Sequence, residues 1–262
     1  MEIQVVTDPD EIREIVPVIK SAWGMQNLEQ LVKDIVAAMR FHGGLVLLAK
    51  EAGKVVGMHF SFPGYRHGQP YLYSHMTGVI TESKYGGIGK ALKLAQKDWA
   101  RQHGFKLIAW TYDPLMALNA NFNFNKLGIL SRTYLRNFYG EMEDSLNFGM
   151  PTDRFVAEWW LDYSMGGEIR PTAFANNIHS LSSMEIDLES PTIGLHIPGD
   201  FVALKKASSE EARKIRLATR DAMEKLFYSG FAAVGFNREE SYYIFARENE
   251  FVKKLGKNIF LD

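Results

Sequence analysis

The stretch that most constrains this chain runs from Tyr71 to His103. Tyr71–Ile80 (YLYSHMTGVI) is rich in aromatic and β-branched residues and reads as a strand. A turn with three glycines follows, Gly86, Gly87 and Gly89. The next run has helical spacing, with Ala91, Leu92, Leu94, Ala95 and Trp99 assigned to the inner side and Lys90, Lys93, Lys97 and Arg101 to the solvent side. A helix N-terminus leaves backbone N–H groups unpaired and carries partial positive charge, and glycines remove the Cβ atoms that would keep an anion away. Strand, turn and helix together therefore predict a phosphate cradle. The segment has no G-x-x-x-x-G-K-[ST], and Lys90-Ala91-Leu92 after Gly89 breaks the dinucleotide pattern G-x-G-x-x-G.

The flanking elements narrow the fold. Ile3–Val6 reads as a first strand, and Asp8-Pro9-Asp10-Glu11 as a helix start with Asp8 as the N-cap and Glu11 reaching back. Pro17 is expected to kink or shorten that helix. A second helix is expected from Asn27, with Leu28, Leu31, Val32, Ile35 and Met39 on one face. Leu45–Glu51 and Val55–Pro63 read as antiparallel strands joined at Ala52-Gly53-Lys54, and Gly64–Pro70 as a polar loop. This succession of strand, two helices, three antiparallel strands, glycine turn and helix is not the strict alternation of a doubly wound fold. It predicts an α/β (α+β) class with a mixed sheet. Leu107–Thr111 is the next buried strand, and Ala117–Leu127 a helix stopped by Gly128. Thr133–Tyr139 and Phe155–Leu161 complete the strands of this part, with a long loop, Gly140–Asp153, between them.

Lys84-Tyr85-Gly86-Gly87-Ile88-Gly89, preceded by Val79-Ile80-Thr81-Glu82, resembles the Arg/Gln-x-x-Gly-x-Gly/Ala signature of the GNAT N-acetyltransferase superfamily, with Lys84 for Arg or Gln and Thr81 for Pro. The resemblance implies a GNAT-like acyl-CoA N-acyltransferase fold and acetyl-CoA or another acyl-CoA as co-substrate. It also implies that Gly78, Val79 and Ile80 face the pantetheine arm, while Lys84, Tyr85, Gly86, Gly87, Ile88, Gly89 and Lys90 wrap the phosphates. Lys126-Leu127-Gly128 resembles the end of a helix that in the family carries a proton-donating Tyr; here that position is Phe124, and the family's Asn falls on Ala117, with Asn119 and Asn121 as neighbouring substitutes. Tyr112–Leu115, Asn119–Asn123, Tyr134–Gly140 and Met150–Arg154 resemble a group of bacterial and archaeal GNAT proteins with a long C-terminal extension. The domains implied are residues 1–163, GNAT, and 164–262, a smaller α+β extension after Ser164-Met165-Gly166-Gly167. In the extension, Ser180–Asp187 and Thr192–Ile197 read as extended, Ser208 opens a helix to about Tyr228, Tyr242–Ala246 is a strand and Lys253–Asp262 a loose tail. Its expected role is to cover the acceptor site or to form a homodimer.

Acyl transfer to an amine needs a base, and the candidates are Asp113, at a strand's C-terminal end, and His75, on the organising strand. The ordinary alternatives are an Asp-Pro turn and a core histidine. Tyr112 and Tyr139 are candidate proton donors in place of Phe124. A formal net charge of −1 offers no field for nucleic acid. The absence of cysteine excludes disulfides, thiolate metal sites and a cysteine nucleophile, and the seven histidines have no ligand spacing, so no metal is expected. No basic leader or long apolar run is visible, which predicts a cytoplasmic protein without a membrane span. The function expected is transfer of acetyl or a larger acyl group to a small amine or amino acid. The alternatives are a non-catalytic CoA-binding module and, as a weaker one, a methyltransferase using the glycine turn to hold S-adenosylmethionine.

Overall fold

The computed structural model describes residues 1–23, 29–80, 86–142, 149–163, 169–247 and 255–261. Two compact units divide it, Met1–Trp110 and Thr111–Asp262.

The first unit opens with β1 (Glu2–Val5), a 3-10 helix (Pro9–Glu14), α1 (Ile15–Trp23) and α2 (Glu29–Phe41). Asp8 caps the 3-10 helix, accepting from Asp10 N at 2.9 Å, whereas Glu11 takes a hydrogen bond from Gln4 Nε2 at 2.8 Å instead of reaching back. Pro17 lies in the first turn of α1, where its missing N–H interrupts no helical bond. On α2 it is Val36 that is buried, while Ile35 is exposed; Asn27 and Leu28 lie outside the described residues.

Then come β2 (Leu45–Glu51), β3 (Lys54–Arg66) and β4 (Gln69–Val79), successively antiparallel. The two hairpins turn on Ala52-Gly53 and His67-Gly68, all four residues at positive φ, as two-residue turns between twisted strands require. Gly64–Pro70, expected as a loop, is thus mainly strand: His67-Gly68 makes the reversal and the ladder continues to Arg66↔Gln69. α3 (Ile88–Gln102) follows, and β5 (Leu107–Tyr112) pairs with β4 in parallel, which makes the sheet mixed. One face of the sheet packs Val46, Leu48, Met58 and Phe60 against Ile12, Ile15, Val18, Ile19 and Val36. The other packs Leu45, Leu47, Ala49 and Val56 against Ile88 and Leu92 of α3. Burial on both faces explains the unbroken apolar run of β2.

The second unit contains α4 (Ala117–Asn121), which continues as a π-helical turn, Phe122–Leu127, ended by Gly128 at φ 72°. The single helix expected here widens over the asparagine-rich run. Thr133–Tyr139 forms a strand only at β6 (Tyr134–Leu135), antiparallel to β7 (Arg154–Trp160). Residues beyond Leu135 turn, with Asn137 at φ 44°. A second sheet has the order β10-β11-β9-β8, from β8 (Ala173–Phe174), β9 (Thr192–His196), β10 (Phe231–Asn237) and β11 (Tyr242–Arg247). Ser180–Asp187, expected to be extended, forms turns and irregular chain. α5 (Phe201–Ala207) and α6 (Ser209–Tyr228) lie between β9 and β10. Ser208 caps α6 through Glu211 N at 3.2 Å. The C-terminal tail is less loose than expected, because Asn258, Ile259 and Phe260 are buried. No helix among the described residues is long and apolar enough to cross a membrane.

Candidate active site

The cradle begins in β4. Its partner register with β3 shifts between Phe60↔Met76 and Ser61↔Ser74, so His75 is the extra residue of a β-bulge. With β5, β4 pairs only at Leu72↔Ile108 and Tyr73↔Ala109. Ile80 N donates to Val56 O at 3.0 Å, and alternation turns the backbone groups of Ile80 and Gly78 toward β3 and those of Val79 and Thr77 away from it. Of the three residues expected to face a pantetheine arm, Val79 is the one whose N–H and C=O are offered on that edge.

Thr81, Glu82, Lys84 and Tyr85 lie outside the described residues. Gly87 is the N-cap of α3, at φ 88° with no side-chain cap, and its carbonyl accepts from Ala91 N at 3.0 Å. The positive φ requires glycine there. Gly89 is different: a Cβ would meet only Val79 Cγ2, at 3.9 Å, so protein packing does not demand glycine at that position. Around Gly87 nothing lies within 4 Å of an added Cβ. An uncapped helix start with open space and bare glycines suits a phosphate group. Lys90 is exposed beside it, and Ile88 is buried under the sheet.

Lys93 is not on the solvent face. Its side chain is buried, with Nζ donating to Ser74 Oγ at 2.6 Å and lying 3.8 Å from the Trp110 ring centroid, whereas Leu94, expected inside, is 42% exposed. The helix is rotated relative to the expected stripe, so that Ile88, Leu92, Lys93, Gln96 and Ala100 face inward. Burial pulls the Lys93 ammonium down to about 7. His59 on β3 is buried too, and burial together with the Lys93 charge holds its pKa well below the usual histidine range.

His75 is exposed at the bulge, among the rings of Phe60, Phe62 and Tyr73 at centroid distances of 6.1, 5.9 and 6.0 Å. Desolvation by these surroundings lowers its pKa. The imidazole is therefore neutral at pH 7 and reachable from solvent.

In the second unit, Asp113 is engaged. Arg216 clamps it with Nη1–Oδ1 at 2.7 Å and Nη2–Oδ2 at 2.6 Å, and Leu115 N donates to Oδ1 at 2.8 Å. Both carboxylate oxygens are thus taken up by protein donors, and this geometry makes Asp113 an anchor for α6. Tyr112 is buried, its hydroxyl 3.4 Å from that of Tyr243, which donates to Pro114 O at 2.7 Å. Burial raises the pKa of both phenols. Phe124 packs edge-on against Tyr243, at 5.7 Å. The phenol nearer solvent is Tyr139, whose hydroxyl lies 2.9 Å from Thr111 Oγ1 and whose ring meets the Arg154 guanidinium at 5.2 Å. Asn119 is exposed, and Asn121 accepts from Asn125 Nδ2 at 2.9 Å.

A second clamp lies beside the first. Arg220 holds Asp153 through two bonds of 2.8 Å, and Tyr134 Oη donates to Asp153 Oδ2 at 2.7 Å. Arg220 also lines a cavity of about 640 Å3 with Asn137, Glu141, Met150 and Arg213. Glu141 and Asp153 belong to the long loop expected at Gly140–Asp153, whereas nothing in the sequence reading singled out Arg216 and Arg220. Their signal was a charge interrupting the inner stripe of α6 formed by Ala212, Ile215, Ala222 and Leu226.

No protein-family model matches the chain, and no curated protein matches it. Among solved structures it is similar to a GNAT-family acetyltransferase of Desulfovibrio desulfuricans, at 16% identity and TM-score 0.49, covering 61% of this chain and 98% of that one. The aminoglycoside 6'-N-acetyltransferase from Enterococcus faecium is similar at 14% identity and TM-score 0.47, covering 63% and 100%. An Arabidopsis thaliana protein in complex with a CoA-containing bisubstrate analogue is similar at 18% identity and TM-score 0.46, covering 60% and 96%.

Proposed function

We propose that the chain is an acyl-CoA-dependent N-acyltransferase of the GNAT type, acting on the amine of a small molecule or amino acid. The observation that carries this is the cradle: a bulged β4 paired with β5 at two positions only, followed by Gly87 at positive φ and the uncapped start of α3. The glycines and Lys90 would hold the pyrophosphate, and the free edge of Val79 the pantetheine amide. In the reaction the neutral amine nitrogen attacks the thioester carbonyl carbon, the C–S bond breaks and CoA leaves as the thiolate. The proton lost from the amine passes to a base and one proton is taken up by sulfur. His75, neutral and exposed, is the proposed base. Tyr112 and Asp113 take no step. Residues 1–163 are proposed as the GNAT domain and 164–262 as an extension whose α6 steadies Asp113 and Asp153.

Phe124 favours one alternative, a CoA-binding module without turnover, because its buried ring offers no proton. Thiol release separates the two. The chain has no cysteine, so a thiol reagent reports free CoA without background from the protein. Amine-dependent thiol release from acetyl-CoA or another acyl-CoA, across a panel of small amines and amino acids, supports catalysis. Binding of acyl-CoA with no release for any acceptor supports the alternative.

A further inference from the structure

The face of β3 and β4 covered by α3 is polar where neighbouring β2 presents Leu45, Leu47 and Ala49. Gly57 of β3 faces Ile88 and Leu92 of α3, and alternation puts His59 and Ser61 on the same side. Their register partners are Thr77 and Ser74 of β4, and α3 adds Lys93 and Gln96. His59, Ser61, Ser74, Lys93 and Gln96 are all no more than 5% exposed. Among the described residues two hydrogen bonds join the group, Lys93 Nζ to Ser74 Oγ at 2.6 Å and His59 Nδ1 with Thr77 Oγ1 at 2.8 Å. Four buried atoms are left without a partner: His59 Nε2, Ser61 Oγ, and both Oε1 and Nε2 of Gln96. Among the described residues no carboxylate pairs with Lys93.

Buried polar atoms are normally satisfied, and a buried ammonium normally has a counter-charge. What this layer lacks, among the described residues, is a negative charge to face Lys93. It offers an ammonium, the Gln96 amide, the Ser61 hydroxyl and, when Thr77 donates to Nδ1, the Nε2–H of His59. A small planar anion with two acceptor oxygens complements that set. The layer also borders the end of the β4–β5 ladder. The last β4–β5 pair is Tyr73↔Ala109, and Ser74 and Trp110, which Lys93 touches, are the next residue of each strand. The ammonium therefore lies beside the last paired residues of β4 and β5.

We propose that this layer is a carboxylate-binding site and, resting on the acyl-CoA reading above, that it receives the terminal carboxylate of a dicarboxylic acyl group such as succinyl. An acetyl methyl would leave the donors among these atoms, Gln96 Nε2, Ser61 Oγ and His59 Nε2, unpaired. The site sets the acyl chain and leaves the acceptor amine to other residues.

The test compares binding of succinyl-CoA, butyryl-CoA and acetyl-CoA to the parent, Lys93→Met and Gln96→Glu. Free succinate is titrated separately, read by the part of the emission that Trp110→Phe removes. The parent is expected to prefer succinyl-CoA at least tenfold over butyryl-CoA. Lys93→Met loses the preference by removing the ammonium, and Gln96→Glu loses it by supplying an internal carboxylate one helical turn away. Thermal melts confirm folding, and Gln96→Glu serves where Lys93→Met does not fold. Equal binding of the three acyl-CoAs, or a preference that survives both substitutions, overturns the inference while the acyl-CoA reading stands. If no acyl-CoA binds, that reading falls. A Trp110 response to succinate that Lys93→Met abolishes then still supports a carboxylate site, and its absence overturns it.

Discussion

Replacing Lys93 with Met tests whether α3 buries an ammonium against the sheet. Burial pulls the pKa of Lys93 from 10.5 to about 7. At roughly 1.4 kcal/mol per tenfold, keeping the group charged in the folded protein costs about 5 kcal/mol. Between pH 7 and 10.5 the unfolded chain holds a proton at Lys93 that the folded chain has released, so stability rises with pH across that window. From pH 6.5 to 9.5 this contributes about 3 kcal/mol to the parent and nothing to Lys93→Met. Met matches the apolar stem and forfeits the Ser74 hydrogen bond, worth about 1 kcal/mol. The variant is therefore more stable than the parent at pH 6.5, and the gap closes or reverses by pH 9.5. The other titratable group in the layer, His59, is held well below its usual range and stays neutral throughout. Urea unfolding at the two pH values measures the parent–variant difference. A difference that does not change with pH would refute a buried, depressed Lys93.

Asp113→Asn leaves the Arg216 guanidinium buried and half-paired, and unfolding experiments should read a loss of about 3 kcal/mol, most of it recovered when Arg216→Met is added. His75→Ala should lower kcat with little effect on acyl-CoA affinity. In the parent, kcat/KM should hold to below pH 6.5 before falling, because the base must be neutral and its pKa is lowered. Gly57→Ala should destabilise the first unit, as its Cβ would lie 2.9 Å from Ile88 Cγ2 and 3.1 Å from Leu92 Cδ1, and thermal denaturation reads the loss.

Local chemistry made much of the first unit legible. The Ala52-Gly53 turn, the apolar run of β2 and the strand–glycine–helix stretch each follow from a few neighbouring residues. The rotation of α3 did not, because Lys93 and Leu94 are adjacent and either fits a stripe read from Leu92 alone. What decides it is the sheet beneath, where Ser74 and Trp110 receive an ammonium. Asp113 was visible as a strand-end carboxylate, but its partner lies 103 positions later, beyond any periodicity signal. β10 went unread for a related reason. FAAVGFN has a glycine in mid-strand, at the point where its register with β11 shifts.

The central claim is that the start of α3 is a cradle for the phosphates of CoA. Calorimetric titration of CoA, acetyl-CoA and S-adenosylmethionine into the parent, Gly87→Glu and Gly53→Ala tests it most directly. Both glycines sit at positive φ with open space around them, so the two substitutions strain the backbone alike, and only the first puts a carboxylate in the cradle. The account predicts that both CoA species bind the parent and Gly53→Ala and fail to bind Gly87→Glu, with no binding of S-adenosylmethionine. CoA binding that survives Gly87→Glu, or no CoA binding to the parent, would contradict it.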